Sequence, residues 1–256
     1  ISLLLLATVA QAQTVEVSGQ LRERSEFNDK SFIEARHHDV FHLLRSRLAA
    51  TAKINDRVKV VLEVQDARFF GETGSTLNSK SPSFDLRQGN VEVSDVLDEH
   101  LSLKLGRQVF SYGNERLLGP IEWNNYGQSF DAAVLRLALG EVRVDAIGAA
   151  VVRNAVNPDY AKDVILAGLW GNWSPAESRT SVNVFWLFDN PATATTRQNR
   201  HTAGAHAGGH FGMLDYEIEG AMQFGDHIMT GMEAHHISAN MVGARVGYRF
   251  PDLMGL

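Results

Sequence analysis

Apolar and polar residues alternate along most of the chain beyond residue 13, in runs of about ten positions, and a period of two marks strands rather than helices. Tyr216-Glu217-Ile218-Glu219-Gly220-Ala221-Met222-Gln223-Phe224 carries the rule most plainly, with apolar residues or Gly at the even positions and mostly polar ones at the odd. Val142-Arg143-Val144-Asp145-Ala146, Val58-Lys59-Val60, and Val182-Asn183-Val184 with Trp186 and Phe188 repeat it. Successive side chains of a strand point to opposite faces, so each run presents one apolar face and one that is at least partly polar.

The connections indicate what the apolar face meets. Tight turns at 54–57, 97–100, 139–141, 174–178 and 212–215 alternate with longer polar stretches at 28–39, 67–83, 111–129, 153–163, 189–199 and 225–235. A sandwich has no reason to keep that order, whereas a membrane barrel has short periplasmic turns and long extracellular loops. A turn spacing of roughly 40 residues also suits a propeller, but a blade fits four short strands into that period and here there are two strands of about ten residues. Ten residues is the length a tilted strand needs to cross a bilayer. The pattern therefore predicts an all-β, antiparallel up-and-down transmembrane β-barrel, with about twelve strands centred near residues 20, 46, 62, 90, 105, 134, 147, 168, 185, 205, 220 and 243. Tyr216 and Phe224 share a face and lie roughly 26 Å apart along a strand, or roughly 20 Å in depth at a tilt of roughly 40°. That approximates the separation of two interfacial aromatic girdles, which Phe188, Trp170, Trp173, Tyr248 and Phe250 are expected to join.

Composition changes this picture at a few points. Residues 1–10 form an apolar run closing in Ala10-Gln11-Ala12, the small-x-small pattern that signal peptidase cuts. Residues 1–12 are thus expected to be the end of an export signal and 13–256 a single barrel domain. No other stretch supplies the eighteen or so continuous apolar residues of a spanning helix, which excludes a helical inner-membrane protein. The absence of cysteine leaves neither disulfides nor a thiolate nucleophile. A formal charge of −6 argues against a nucleic-acid partner, although in a pore the distribution of charge matters more than its sum.

With the apolar face toward lipid, Val15, Val17, Gly19 and Leu21 point outward, and Arg22 and Arg24 inward. On the second strand Val40, His42, Leu44, Leu48 and Ala50 go outward, and Arg45, Arg47 and Lys53 inward. Lys59 and Glu63 follow on the third strand, and Arg143 on the seventh. The result is a basic stripe along one wall. Such a stripe lowers the electrostatic barrier for carboxylates or phosphates, and the planar Arg fork holds a carboxylate through two bonds. Glu16, Glu63, Asp145, Glu217 and Glu219 are the acids able to neutralise it. The stretch 111–129 is long and rich in Gly, Trp, Tyr and Arg, and is expected to fold inward or pack on the rim, with Arg107, Glu115 and Arg116 as its charged candidates. Ten histidines raise the question of a metal. His206 and His210 share a face but stand roughly 13 Å apart, and His201 is on the other face, so no shared ion or other cofactor is expected.

The most specific stretch is Gly106-Arg107-Gln108-Val109-Phe110-Ser111-Tyr112-Gly113-Asn114-Glu115-Arg116-Leu117-Leu118-Gly119-Pro120, followed by Trp123-Asn124-Asn125 and Ser129-Phe130-Asp131. It resembles the signature of the alginate export family, in which a strand ending Gly-Arg-Gln runs into a Tyr-Gly-x-Glu-Arg-Leu loop. Gly19 to Arg24 matches an opening Gly-x-Leu-Arg-x-Arg strand, and Leu44 to Leu48 a Leu-Arg-x-Arg-Leu strand; Gln128 stands where the family usually has Arg. The resemblance implies an eighteen-stranded, monomeric barrel of the bacterial outer membrane with an electropositive lumen for an anionic polysaccharide. About twelve strands of eighteen would make this chain a fragment, and residues 251–256 read as a periplasmic turn. The expected function is export or conduction of an alginate-like polysaccharide past Arg22, Arg24, Arg45, Arg47, Lys59, Arg107, Arg116 and Arg143, with outer-membrane lipid around it and periplasmic export proteins as candidate partners. The alternatives are a general anion-selective porin and an outer-membrane lipid hydrolase. For the hydrolase the sequence offers no Gly-x-Ser-x-Gly elbow.

Overall fold

The computed structural model describes residues 13–28, 39–70, 84–151, 164–176, 178–191, 196–229 and 231–250. The expected export signal, the turn at 251–256 and most of the loops at 28–39, 67–83 and 153–163 lie outside the described residues. Among the described residues there are twelve strands: β1 (Thr14–Asn28), β2 (Asp39–Lys53), β3 (Val58–Phe70), β4 (Phe84–Val93), β5 (Leu101–Gln108), β6 (Phe130–Leu139), β7 (Val142–Val151), β8 (Val164–Trp173), β9 (Ser181–Asp189), β10 (Thr196–Phe211), β11 (Leu214–Met229) and β12 (His235–Tyr248). Their order in the sheet is their order in the chain, the up-and-down arrangement that the turns predicted. Two loops come out shorter than expected, because β10 and β11 are each 16 residues long. Arg197, Gln198 and Asn199 pair with Ile228, His227 and Asp226. Polar side chains do not stop a strand whose backbone groups find a neighbour, so the hydrophobic pattern marks only the part of each strand that meets lipid.

Two compact units are distinguished. The first comprises β1 to β4 with Gly106–Phe110 and Gly119–Ser129. In it, register fixes the faces: Arg22 is opposite Arg45, Gln20 opposite Arg47, and Arg47 opposite Gln65. Leu21 is 75% exposed and Leu48 and Leu62 are open as well, whereas Arg45 is 1% exposed and Glu63 and Gln65 are buried. An apolar exposed face and a polar buried face are the inverse of a soluble sheet and suit strands flanked by lipid. β4 departs from regular alternation. Glu63 pairs with Gln88 and Val64 with Leu86, so Arg87 is the extra residue of a bulge. Arg87 and Gln88 in consequence both turn to Glu63, Gln88 Nε2 donating to it at 2.6 Å and Arg87 Nε lying 3.4 Å from it. Gly106, the first residue of the Gly-Arg-Gln motif, has φ +113°, and a Cβ there would collide with the Gly89 carbonyl oxygen.

The second unit comprises Ser94–Leu105, Ser111–Leu118 and Phe130–Leu256. The same inversion holds. Val184, Ile218, Val242 and Val246 are exposed, while Asp145 has no exposure and Asn183, Thr202 and Glu219 are buried. Trp173 is half exposed on the apolar face, as a girdle residue would be. Trp170 is not a girdle residue. It is 3% exposed on the opposite face, where it stacks on Phe185 at 4.6 Å and donates from Nε1 to Asn183 Oδ1 at 3.0 Å. Its nearness to a strand end misled because girdle and inner positions differ by one step of the two-residue period, which only the register resolves.

Candidate functional site

Two side-chain clusters stand out, one in each unit, and both form around a piece of the 109–129 connection. In the first unit, residues 120–128 close on themselves, with Gln128 N donating to Pro120 O at 2.8 Å. Asn124 N donates to Ile121 O at 3.0 Å, and Tyr126 N to Asn124 Oδ1 at 2.8 Å. Ile121 takes φ +49° and Gly127 φ +72° to make the bends. A β-branched residue in the left-handed region costs of order 1–3 kcal/mol and persists only where its surroundings hold it.

Arginines do the holding. Arg22 donates to Glu122 O at 2.6 Å and to Asn124 O at 3.2 Å, and Arg24 to Trp123 O at 2.5 Å, its guanidinium lying 4.4 Å from the Trp123 ring centroid. Arg45 Nη1 reaches the carbonyls of Glu122 and Asn124 at 3.2 Å each. The side chain of Asn125, almost wholly buried, donates to Arg68 O at 3.2 Å. The Glu122 carboxylate then receives Arg47 Nη1 at 2.8 and 3.0 Å, Arg45 Nη2 at 2.9 Å, and Arg87 Nη2. Burial alone would raise its pKa, but the charges of Arg87, Arg47 and Arg45 and the hydrogen bond from Arg47 outweigh this and hold it below the usual carboxyl range.

In the second unit, Tyr112 OH donates to Asp145 Oδ2 at 2.9 Å, while Arg136 grips the same carboxylate through two bonds of 2.8 and 2.9 Å. Burial, and then the Asp145 charge, push the Tyr112 hydroxyl upward, so it remains a proton donor. Gly113, at φ +59°, passes beneath the Trp170 ring. Asn114 Nδ2 spans Glu217 and Glu219 at 2.8 and 2.9 Å, and Arg116 Nε pairs with Glu219 at 2.7 Å. These contacts account for Tyr112, Gly113, Asn114 and Arg116 of the Tyr-Gly-x-Glu-Arg-Leu loop. A cleft of about 880 Å³ adjoins it, lined by Arg116, Arg179, Arg245 and Arg249 among others.

Of the arginines and the lysine singled out from sequence, the fold brings together Arg22, Arg24, Arg45 and Arg47. Lys59 lies elsewhere on β3 and pairs with Glu92 at 2.6 Å. Arg107 lies 3.5 Å from Asp85, and Arg143 lies 4.0 Å from Asp145. Sequence reasoning missed Arg87 and Glu122. Arg87 enters through a bulge, which alternation cannot foresee, and nothing distinguishes Glu122 from an ordinary acidic residue of a loop. His206 and His210 do face away from His201, which stacks on Trp186 and Phe224. One finding bears on hydrolysis: Ser25 Oγ and His42 Nδ1 are 2.9 Å apart, with Glu23 close to both. The same ring nitrogen faces the hydroxyl and the acid, so the ring cannot take a proton on one nitrogen while the acid orients the other, as a triad requires.

No curated protein sequence matches the chain. Among solved structures, it is similar to OmpF of Salmonella typhi in complex with daunomycin, with 9% identity, 93% of this chain and 86% of that one covered, and a TM-score of 0.46. It is also similar to a loop L8 deletion mutant of OmpT, an outer membrane protein of Vibrio cholerae, at 14% identity, with 93% and 89% covered and a TM-score of 0.45. The sequence model for alginate export matches residues 13–255, nearly all of the chain. This chain therefore belongs to the alginate export family and forms a pore of the bacterial outer membrane.

Proposed function

We propose that the pore carries an anionic polysaccharide whose carboxylates travel along arginines of the inner wall. The observation that carries this reading is the convergence of Arg22, Arg24, Arg45, Arg47 and Arg87, from three strands, on one short loop segment. Of the buried guanidinium nitrogens in it, Arg22 Nε, Arg47 Nη2 and Arg87 Nη1 have no hydrogen-bond acceptor among the described residues. A buried donor without a partner is costly, and an array of cationic donors in excess of its acceptors is a place where an anion gains more than it loses. Lys59, Arg107, Arg116 and Arg143 are proposed as further steps of the path, with residues 13–256 as one barrel domain and 1–12 as its export signal.

The test is conductance of the protein in a planar bilayer. A current that favours chloride over potassium and is interrupted by uronate oligomers, but not by neutral oligosaccharides of the same length, is the expected result. An anion-selective current indifferent to uronate oligomers would point instead to a porin for small anions, and a cation-selective one would refute the basic path.

A further inference from the structure

We propose that Glu122 is a tethered competitor for the carboxylate site formed by Arg45, Arg47 and Arg87. It neutralises these arginines between passing substrate carboxylates and is displaced by each in turn. The inference rests on the proposed polysaccharide path and adds to it the means by which binding is kept weak enough for transport.

The arginines make two different kinds of contact with the segment. Arg22, Arg24 and Arg45 Nη1 bond backbone carbonyls of residues 122–124, and Asn125 and Gln65 add two more anchors, Gln65 Nε2 donating to Tyr126 O at 2.8 Å. Those bonds hold the loop whatever the Glu122 side chain does. Arg47 Nη1, Arg87 Nη2 and Arg45 Nη2, in contrast, meet only its carboxylate within the segment. The three guanidinium side chains are 2 to 8% exposed, while that of Glu122 is 44% exposed. The anion is thus the one accessible member of the cluster, and it sits on fixed, buried cations.

A carboxylate on the substrate is chemically the same ligand as the carboxylate of Glu122. It can take over the same forked bonds while Glu122 swings toward solvent, with no backbone anchor broken. Without an internal competitor, several converging arginines would hold a uronate too long, and conduction requires a site that releases as well as binds.

The experiment uses the full chain in planar bilayers, with uronate oligomers as the probe and neutral maltooligosaccharides as the control. Glu122→Gln is expected to lengthen each uronate block by about tenfold, since an amide competes poorly for guanidinium. Glu122→Asp, which keeps the charge but shortens its reach, should lie between Gln and the parent chain and covers the case that the Gln variant does not insert. Arg47→Gln and Arg87→Gln should shorten the block. Blocks in the parent chain that Glu122→Gln leaves unchanged or shortens would overturn the competitor role while the polysaccharide path stands. No block in any chain would overturn the path itself.

Discussion

Single residues in this protein are held by charge and hydrogen bonding rather than by apolar contact, since the apolar side chains face the other way. Asp145 shows what that implies. It is completely buried and its hydrogen-bond donors are Tyr112 and Arg136, so Tyr112→Phe leaves one oxygen with a bond fewer. A loss of about 1–3 kcal/mol is expected, read as a lower temperature at which the compact form expected on unheated gels converts to the unfolded band. Glu122 should respond to pH with a definite sign. Its folded pKa lies below the ordinary carboxyl value, so its pairing with Arg45, Arg47 and Arg87 is complete above that value and is lost as pH falls through the lower, folded one, which frees the side chain to move in the pore. Open-channel noise should therefore be constant from pH 7 to about 4.5 and grow only below it. Noise that rises already between pH 7 and 5 would mean that a group other than Glu122 is its source.

Strands were the most legible level. The two-residue period located all twelve near their observed centres, and it assigned Arg22, Arg45, Arg47 and Arg143 to the face opposite the lipid-facing apolar side chains. Membrane strands make this possible because one face meets hydrocarbon and the other does not, leaving the alternation undiluted. What stayed hidden breaks that period or lies outside it: the bulge that turns Arg87 inward, the inner placement of Trp170, and the folding of 120–128 onto the arginines, which depends on contacts between residues a hundred positions apart. The face assignment itself can be tested on β3. Leu62→Arg, on the apolar face, should cost up to roughly 2–4 kcal/mol near the bilayer midplane and cut the yield of folded protein, whereas Val61→Lys, one position away and facing inward, should not. Equal yields would place β3 outside the bilayer, and the reverse order would shift the register by one.

At the scale of the whole molecule, alternation has a consequence for the journey that precedes folding. Polar residues recur at most alternate positions of a strand such as β11, so the chain reaches its lipid-facing surface with a mean hydropathy of only −0.15 and with no described helix long and apolar enough to span a bilayer. A helical membrane protein declares itself to the secretion machinery in one continuous stretch; this chain discloses its greasy surface only after neighbouring strands have paired and sorted their side chains. Hydrophobicity here is a property of the assembled sheet and not of any segment that a translocation channel could sense. Replacing Asp215, Glu217, Glu219, Gln223, Asp226 and His227 together by Leu would collapse that disguise and yield an uninterrupted apolar run from Phe211 to Met229, long enough to span as a helix. Cell fractionation should then find the variant retained in the inner membrane, stranded one compartment short of its destination; normal delivery would show that the periodic polar residues are not what carries the chain past that first membrane.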